Sequence, residues 1–301
     1  MDRELTLDVK GPIEAVDHGG TGPPMLLVHG LGGSMVNWRD VTGDLTQTHH
    51  VWSLDLIGFG RTPRAGREST IPNNVGVVDH VAEHIGGGRP VVLVGNSMGG
   101  LISVLVASRR PHSVASLVLV DPAMPTTPGG RFPLMLAAAF VMMRTPGVGP
   151  WVVRANSRRR GAERLVDDVL RLCTVDVSRI SPETREALIE QMRWRQEQEE
   201  PDRAFLEASS SLVQWLWHRD AVERHIRRVQ APTLLMHGDQ DRLVMLSAAQ
   251  GVATMRPDWT FRVLDNTGHI PMMERPDEFV ELVDDWLGTS QPAVLASTSR
   301  R

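Results

Sequence analysis

An α/β fold with a mostly parallel central sheet is what this sequence predicts, and three observations predict it. Short continuous apolar runs recur at Met25 to His29, Val51 to Asp55, Val91 to Gly95, Leu117 to Asp121, Thr233 to His237 and Thr260 to Leu264. Runs without polar alternation suit strands covered on both faces, as in a parallel sheet. Helical stretches fall between them, at Val75 to Ile85, Leu101 to Arg110, Leu246 to Met255 and Pro276 to Leu287. The alternation then breaks between Ala123 and Gln230, where no strand is evident and helical patterns such as Ala162 to Leu172 and Pro182 to Gln198 dominate. Strands alternating with helices make the sheet, and the interruption is read as an inserted helical cap.

Taken in order, Arg3 to Val9 and Ile13 to Asp17 read as an opening hairpin ahead of the first parallel strand. The cap follows the strand that ends at Asp121. The expected division is a core of residues 1–122 plus 231–288, a helical cap over 123–230, and a small, polar, disordered tail over 289–301. No internal repeat or low-complexity segment stands out.

Composition narrows the function classes. The chain has 301 residues, of which 41% are hydrophobic and 23% charged, enough for a sizeable core in one domain plus an insertion. A net charge of -4 leaves no basic footprint for nucleic acid. A single cysteine, Cys173, excludes an intramolecular disulfide framework, and Met1-Asp2-Arg3-Glu4 lacks the apolar segment of a signal peptide, so a cytoplasmic location is expected. The longest apolar run, Leu134 to Met143, is about half of what a bilayer-spanning helix needs, and no stable membrane insertion is expected. Oligomeric state is not legible.

The most informative segment is Val91-Val92-Leu93-Val94-Gly95-Asn96-Ser97-Met98-Gly99-Gly100. A β-branched run enters Gly95-x-Ser97-x-Gly99 and a helical stretch leaves it, the pattern of a nucleophile elbow. Glycines flank the serine because a Cβ there would clash in so sharp a turn. Such a turn lifts Oγ out of the sheet, at a helix N-terminus whose free amides favour negative charge.

Ligands of open α/β sheets bind at the carboxyl ends of the strands. Four loops there carry chemistry. His29-Gly30-Leu31-Gly32-Gly33-Ser34 follows the first parallel strand, and the amides of Leu31 and Met98 are the natural pair for an oxyanion hole. Gly238-Asp239-Gln240-Asp241 and Asp265-Asn266-Thr267-Gly268-His269 follow the last two strands. Chain order is then Ser97, an aspartate, His269, with Asp239, Asp241 and Asp121 all open as the acid. Asp55 and His29 are expected to brace their loops, and Cys173 to be a buried structural thiol.

At this point the chain resembles the α/β-hydrolase superfamily. The resemblance rests on Leu27-Val28-His29-Gly30, Leu54-Asp55-Leu56-Ile57-Gly58-Phe59-Gly60-Arg61-Thr62, the elbow at 95–100, His237-Gly238-Asp239-Gln240-Asp241, and Gly268-His269-Ile270-Pro271-Met272-Met273-Glu274-Arg275-Pro276, in the family's order. It implies a cap-containing serine hydrolase without a cofactor or a metal. Family spacing favours Asp241 as the acid and leaves Asp239 as a turn-capping residue. In the implied mechanism His269 takes the proton of Ser97, Asp241 orients and stabilises the imidazolium, and Leu31 and Met98 bind the oxyanion. Serine at the elbow sets the chain apart from the family's haloalkane dehalogenases and most of its epoxide hydrolases, which carry aspartate there.

The substrate is read from the apolar first part of the cap, with Met135, Phe140, Met143 and Trp151 as candidate lining residues. Methionines adapt to irregular apolar ligands, so a hydrophobic carboxylic ester is expected, with a thioester as a variant. The alternative role for these residues is only to pack the cap onto the core. The elbow wording also resembles hydrolases that cleave carbon–carbon bonds of ring-fission diketone acids. Those enzymes usually follow the oxyanion histidine with a Gly/Pro-rich segment and place Trp after the catalytic histidine, where this chain has Leu31-Gly32-Gly33 and Ile270. Gly30-x-Gly32-x-x-Met35 mimics a dinucleotide-binding turn, but Met35 stands where a small residue must let the helix approach the strand. A non-catalytic binding protein on the same fold is the remaining alternative.

Overall fold

The computed structural model describes residues 2–126, 161–198, 200 and 202–290. Eight strands form one sheet: β1 (Arg3–Asp8), β2 (Pro12–Gly19), β3 (Pro24–Val28), β4 (His50–Leu54), β5 (Val91–Asn96), β6 (Val114–Val120), β7 (Thr233–Gly238) and β8 (Thr260–Leu264). Their spatial order is β1-β2-β4-β3-β5-β6-β7-β8. The hairpin β1–β2 and the β2–β4 pair are antiparallel, and every other pair is parallel. The register sets Val28 beside Gly95, Asn96 beside Val120, Val120 beside Met236 and Gly238 beside Leu264. The carboxyl ends of five strands therefore lie along one edge of the sheet, where the informative loops emerge.

Strands β3, β5 and β7 are buried along their whole length. Strand β8 departs from the expected continuous apolar run, because it is an edge strand with one neighbour and its Arg262 and Val263 face outward. The helices divide between the two faces. One core joins α2 (Ile71–Gly86), α3 (Met98–Arg109) and α8 (Leu246–Met255) through residues such as Val78, Leu101 and Val252. The other joins α1 (Arg39–Leu45) and α10 (Pro276–Ser290) through Trp38, Val41, Phe279 and Val283. Helix α2 starts before Val75 because Pro72 sits in its first turn, where the missing N–H costs nothing, and it ends on Gly87 at φ +54°. Helix α10 runs to Ser290, so Thr289 and Ser290 are helical and not part of a tail; residues 291–301 lie outside the described residues.

Between β6 and β7 the described chain is helical: α4 (Ala162–Cys173), α5 (Pro182–Gln196), α6 (Arg203–Trp217) and α7 (Arg219–Arg228). Val166, Leu170 and Ile189 of α4 and α5 join the α1–α10 core, whereas Val222 and Ile226 of α7 join the α3 core. The inserted helices are thus welded to the sheet domain at both ends. Among the described residues no helix is long and apolar enough to cross a membrane.

Candidate active site

Ser97 stands between β5 and α3 at φ +53°, ψ −116°, a conformation that a side chain adopts only at a cost of ~1–3 kcal/mol. The flanking glycines let the chain turn there. A Cβ on Gly95 would lie 2.5 Å from the carbonyl oxygen of Gly99, and one on Gly99 only 2.2 Å from that of Val28. The second contact is with the end of β3, so Gly99 is demanded by the neighbouring strand rather than by the returning helix. Ser97 N–H donates to the Val120 carbonyl at 3.0 Å and the Ser97 carbonyl accepts from Ala123 at 2.9 Å, which fixes the strained residue to the loop after β6.

Asp241 and His269 meet across the ends of β7 and β8. His269 Nδ1 lies 2.7 Å from Asp241 Oδ2, and Asp241 Oδ1 accepts from the amides of Leu243 (2.7 Å) and Val244 (3.0 Å). The Asx turn after β7 is therefore made by Asp241 itself. Asp239, the residue expected to cap that turn, instead accepts from Thr267 N–H at 3.2 Å and ties down the histidine loop. Burial opposes ionisation of Asp241. The His269 charge and hydrogen bond, together with His237 and the Leu243 amide, outweigh it and hold the carboxyl below its ordinary range. With Nδ1–H donated to a carboxylate, Nε2 of His269 keeps its lone pair for a proton.

No hydrogen bond joins Ser97 Oγ to His269 among the described residues; such contacts are commonly long in a free enzyme and tighten around substrate. The link between the two loops is Asn96. Its Nδ2 donates both to the His269 carbonyl (3.0 Å) and to the Val120 carbonyl (3.1 Å).

His29 orients the Leu31 amide of the candidate oxyanion pair. Its Nε2 accepts from Leu56 N–H at 3.0 Å, so Nδ1 carries the proton and donates to the Gly30 carbonyl at 2.7 Å. Burial pushes this imidazole down to about 4, which keeps it neutral. Gly33 N–H donates to the same carbonyl at 3.1 Å. Because a trans peptide points its N–H opposite to its C=O, these two bonds aim the Leu31 N–H away from His29. A Cβ on Gly30 would come within 3.0 Å of the Ser97 Cβ, so the loop lies against the elbow. Met98, first residue of α3, has an amide with no helical partner. Asp55 locks the adjoining loop by accepting from Met35 (2.8 Å) and Arg61 (2.7 Å), although burial pushes its carboxyl up to about 7.

Three polar residues beside the site have contacts that the sequence reading did not assign, including Asp121, which that reading left open as the acid. Asp121, at φ +45°, accepts from Gly238 N–H at 2.8 Å through Oδ1, while Oδ2 is buried without a partner. Burial first, then the Asp241 charge, pushes the Asp121 carboxyl well above its ordinary value, which favours its protonated form. His237 donates Nε2–H to the Val244 carbonyl at 2.9 Å, and its Nδ1 lies 3.8 Å from Asp121 Oδ1. Asp121, His237 and Asp241 bring ligand-type atoms within 4.8 Å of one another, but the Asp241 oxygens are already committed to His269 and two amides. The third residue is Glu274, a fully buried carboxylate under the histidine loop. Nothing in the sequence says which polar groups these residues meet, because their partners lie on other loops.

The candidate lining residues Met135, Phe140, Met143 and Trp151 lie outside the described residues. Among the described residues a cavity of about 310 Å³ opens between the loop after β4 and α5, beginning at Gly32 of the oxyanion loop. Phe59 and Trp194 give it apolar walls, and Arg64, Gln191, Arg195 and Glu200 polar ones. Cys173 is buried at the end of α4, where burial pushes its thiol up to about 12 and leaves it unreactive.

Curated relatives cover most of the chain. It is 29% identical over 281 residues to a 2-hydroxy-6-oxo-2,4-heptadienoate hydrolase of Pseudomonas putida, covering 89% of this chain and 90% of that one. It is 25% identical over 276 residues to a monoacylglycerol lipase of Xenopus laevis, covering 90% and 77%. Among solved structures, the haloalkane dehalogenase DatA of Agrobacterium tumefaciens superposes with a TM-score of 0.80 at 19% identity, covering 96% and 97%, which shows a shared fold alone. A sequence model of the alpha/beta hydrolase fold matches residues 23–276, and the chain belongs to that family of hydrolases.

Proposed function

We propose that the protein is a serine hydrolase that cleaves carboxylic esters through an acyl-enzyme on Ser97. The observation that carries this reading is the 2.7 Å bond between Asp241 and His269 beside a strained serine at a helix N-terminus. His269 Nε2 takes the Ser97 proton as Oγ attacks the acyl carbonyl, and the Asp241 carboxylate stabilises the resulting imidazolium. The Leu31 and Met98 amides receive the oxyanion, each contributing on the order of 3 kcal/mol to the transition state. As the tetrahedral intermediate collapses, His269 returns the proton to the leaving alkoxide. Water, deprotonated by the same nitrogen, then attacks the acyl-enzyme and frees the acid.

The sequence leads to the expectation of a helical cap over residues 123–230, and the apolar composition of its first part supports a hydrophobic substrate. The polar walls of the cavity beside Gly32 suit a polar end on that substrate, as in an acylglycerol. The Pseudomonas relative favours a second reading, hydrolysis of a carbon–carbon bond in a vinylogous diketone acid, for which the same three residues suffice. A panel of p-nitrophenyl esters from acetate to palmitate, run beside such a diketone acid and an acyl-CoA, separates the readings. Turnover of the esters that disappears in Ser97→Ala supports the esterase; turnover of the diketone acid alone moves the function to the second reading. No turnover of any of them in the wild type would leave the fold as a binding scaffold.

A further inference from the structure

Helix α9 (Pro271–Glu274) ends on a carboxylate that the acid–base chemistry above does not use. Glu274 has no exposed side-chain surface, and every one of its partners is a donor. Oε2 accepts from the Gly268 amide at 2.8 Å, immediately before His269. Oε1 accepts from the amides of Val175 (2.9 Å) and Asp176 (3.1 Å) and from Arg179 Nη1 (3.3 Å), all in the segment that follows α4. That segment also touches the histidine loop directly. The Cys173 carbonyl accepts from His269 N–H at 2.7 Å, Arg179 Nη1 donates to the Asn266 carbonyl at 2.7 Å, and a Cβ on Gly268 would lie 2.3 Å from the Cys173 carbonyl oxygen.

We propose that Glu274 is a positioning residue that sets His269 by clamping the inserted segment 175–179 onto the base's own loop, so that the base is aligned only when the insertion is seated. The proposal rests on the reading of His269 as the general base. Its chemistry is that of an acceptor-only group between two sets of donors: a carboxylate satisfies both, and an amide of the same size satisfies one. In Glu274→Gln the carbonyl oxygen turns to the side with three donors, and Nε2–H faces the Gly268 N–H. That repulsion releases the base loop while the core keeps its volume.

The test is steady-state hydrolysis of a p-nitrophenyl ester by Glu274→Gln, with the phosphonylation rate by a fluorophosphonate as a second measure and Ser97→Ala alongside. A misplacement of the base of up to 1 Å predicts a kcat roughly 10–100-fold lower at nearly unchanged KM, with phosphonylation slowed in parallel. In an Asp241→Asn background the same change costs far less, because the base it positions is already disabled. Where Glu274→Gln fails to fold, Arg179→Met removes one exposed-side donor and is expected to lower kcat roughly 3-fold at constant KM. Wild-type kcat in the folded variants, or a full and additive loss in the Asp241→Asn background, overturns the positioning role. Turnover retained by Ser97→Ala would instead remove the function on which it rests.

Discussion

The side-chain amide of Asn96 donates to the carbonyl of His269 at 3.0 Å, joining the residue before Ser97 to the proposed base. The two groups come from β5 and from the loop after β8, with β6 and β7 between those strands in the sheet. The bond therefore spans the site. Asn96→Ala leaves the Val120 and His269 carbonyls without this donor in a buried place, at ~1–3 kcal/mol of stability. Urea unfolding should show that loss, and kcat should fall about 10-fold as the base loop loosens. Unchanged kcat in a destabilised protein would make Asn96 a purely structural tie.

Ser97→Ala is expected to lose ester turnover by up to ~10⁶-fold while remaining folded, and to escape labelling by a fluorophosphonate. Ser97→Gly should be equally inactive yet more stable than Ser97→Ala by about 1 kcal/mol, because only glycine accepts φ +53° without strain. Equal melting temperatures for the two variants would mean that the turn stores no strain.

The two aspartates of the β7 turn are separated by the atoms they touch. Asp241→Asn keeps the Oδ1 acceptor for Leu243 and Val244 but turns an N–H toward His269, and kcat should fall by about 10⁴, as for the acid of a serine protease. Asp239→Asn keeps its acceptor for Thr267 and is expected to retain activity within a few-fold. The opposite ranking in a kcat comparison would move the acid to Asp239.

Asp121→Asn tests whether the buried carboxyl beside Asp241 is protonated. Asparagine keeps the acceptor for Gly238 and supplies an N–H where the protonated Oδ2 stood, so activity should stay within a few-fold of wild type. Stability should diverge with pH. Burial favours the protonated Asp121 carboxyl in the folded state, so wild type loses more stability than the asparagine variant as pH rises above the usual carboxylate range of about 4. Asp55, pushed up to about 7, has the same sign, and His29, pushed down to about 4, has the opposite one. Both are present in each protein and drop out of the difference. A stability difference that is flat with pH in urea titrations would show that Asp121 is ionised in the fold.

The division between what the sequence shows and what it hides follows the range of the interactions. Apolar runs place the parallel strands within a residue or two of their ends, because covering both faces of a parallel sheet is a local compositional demand, except that β6 starts three residues before its run, at Val114. The bounds of β8, Thr260–Leu264, were legible, but the exposure of Arg262 and Val263 was not, because its edge position is a property of strand order, which no single segment encodes. The helices α6 and α7 were not delimited either, although Ala204, Ala208 and Leu212 of α6, and Val222 and Ile226 of α7, stand four apart on one buried face.

The sequence by itself determined the α/β class, the sharp turn at Ser97 and the set of loops that gather at the carboxyl ends of the strands, because glycine spacing and chain order are written along one dimension. Only the tertiary structure decided that Asp241 rather than Asp239 makes the Asx turn, that Asn96 and Glu274 hold the His269 loop from either side, and that burial beside Asp241 raises the Asp121 carboxyl. Each of these is a hydrogen bond or a charge pair between residues on different loops, and its existence depends on the few ångströms that folding alone sets.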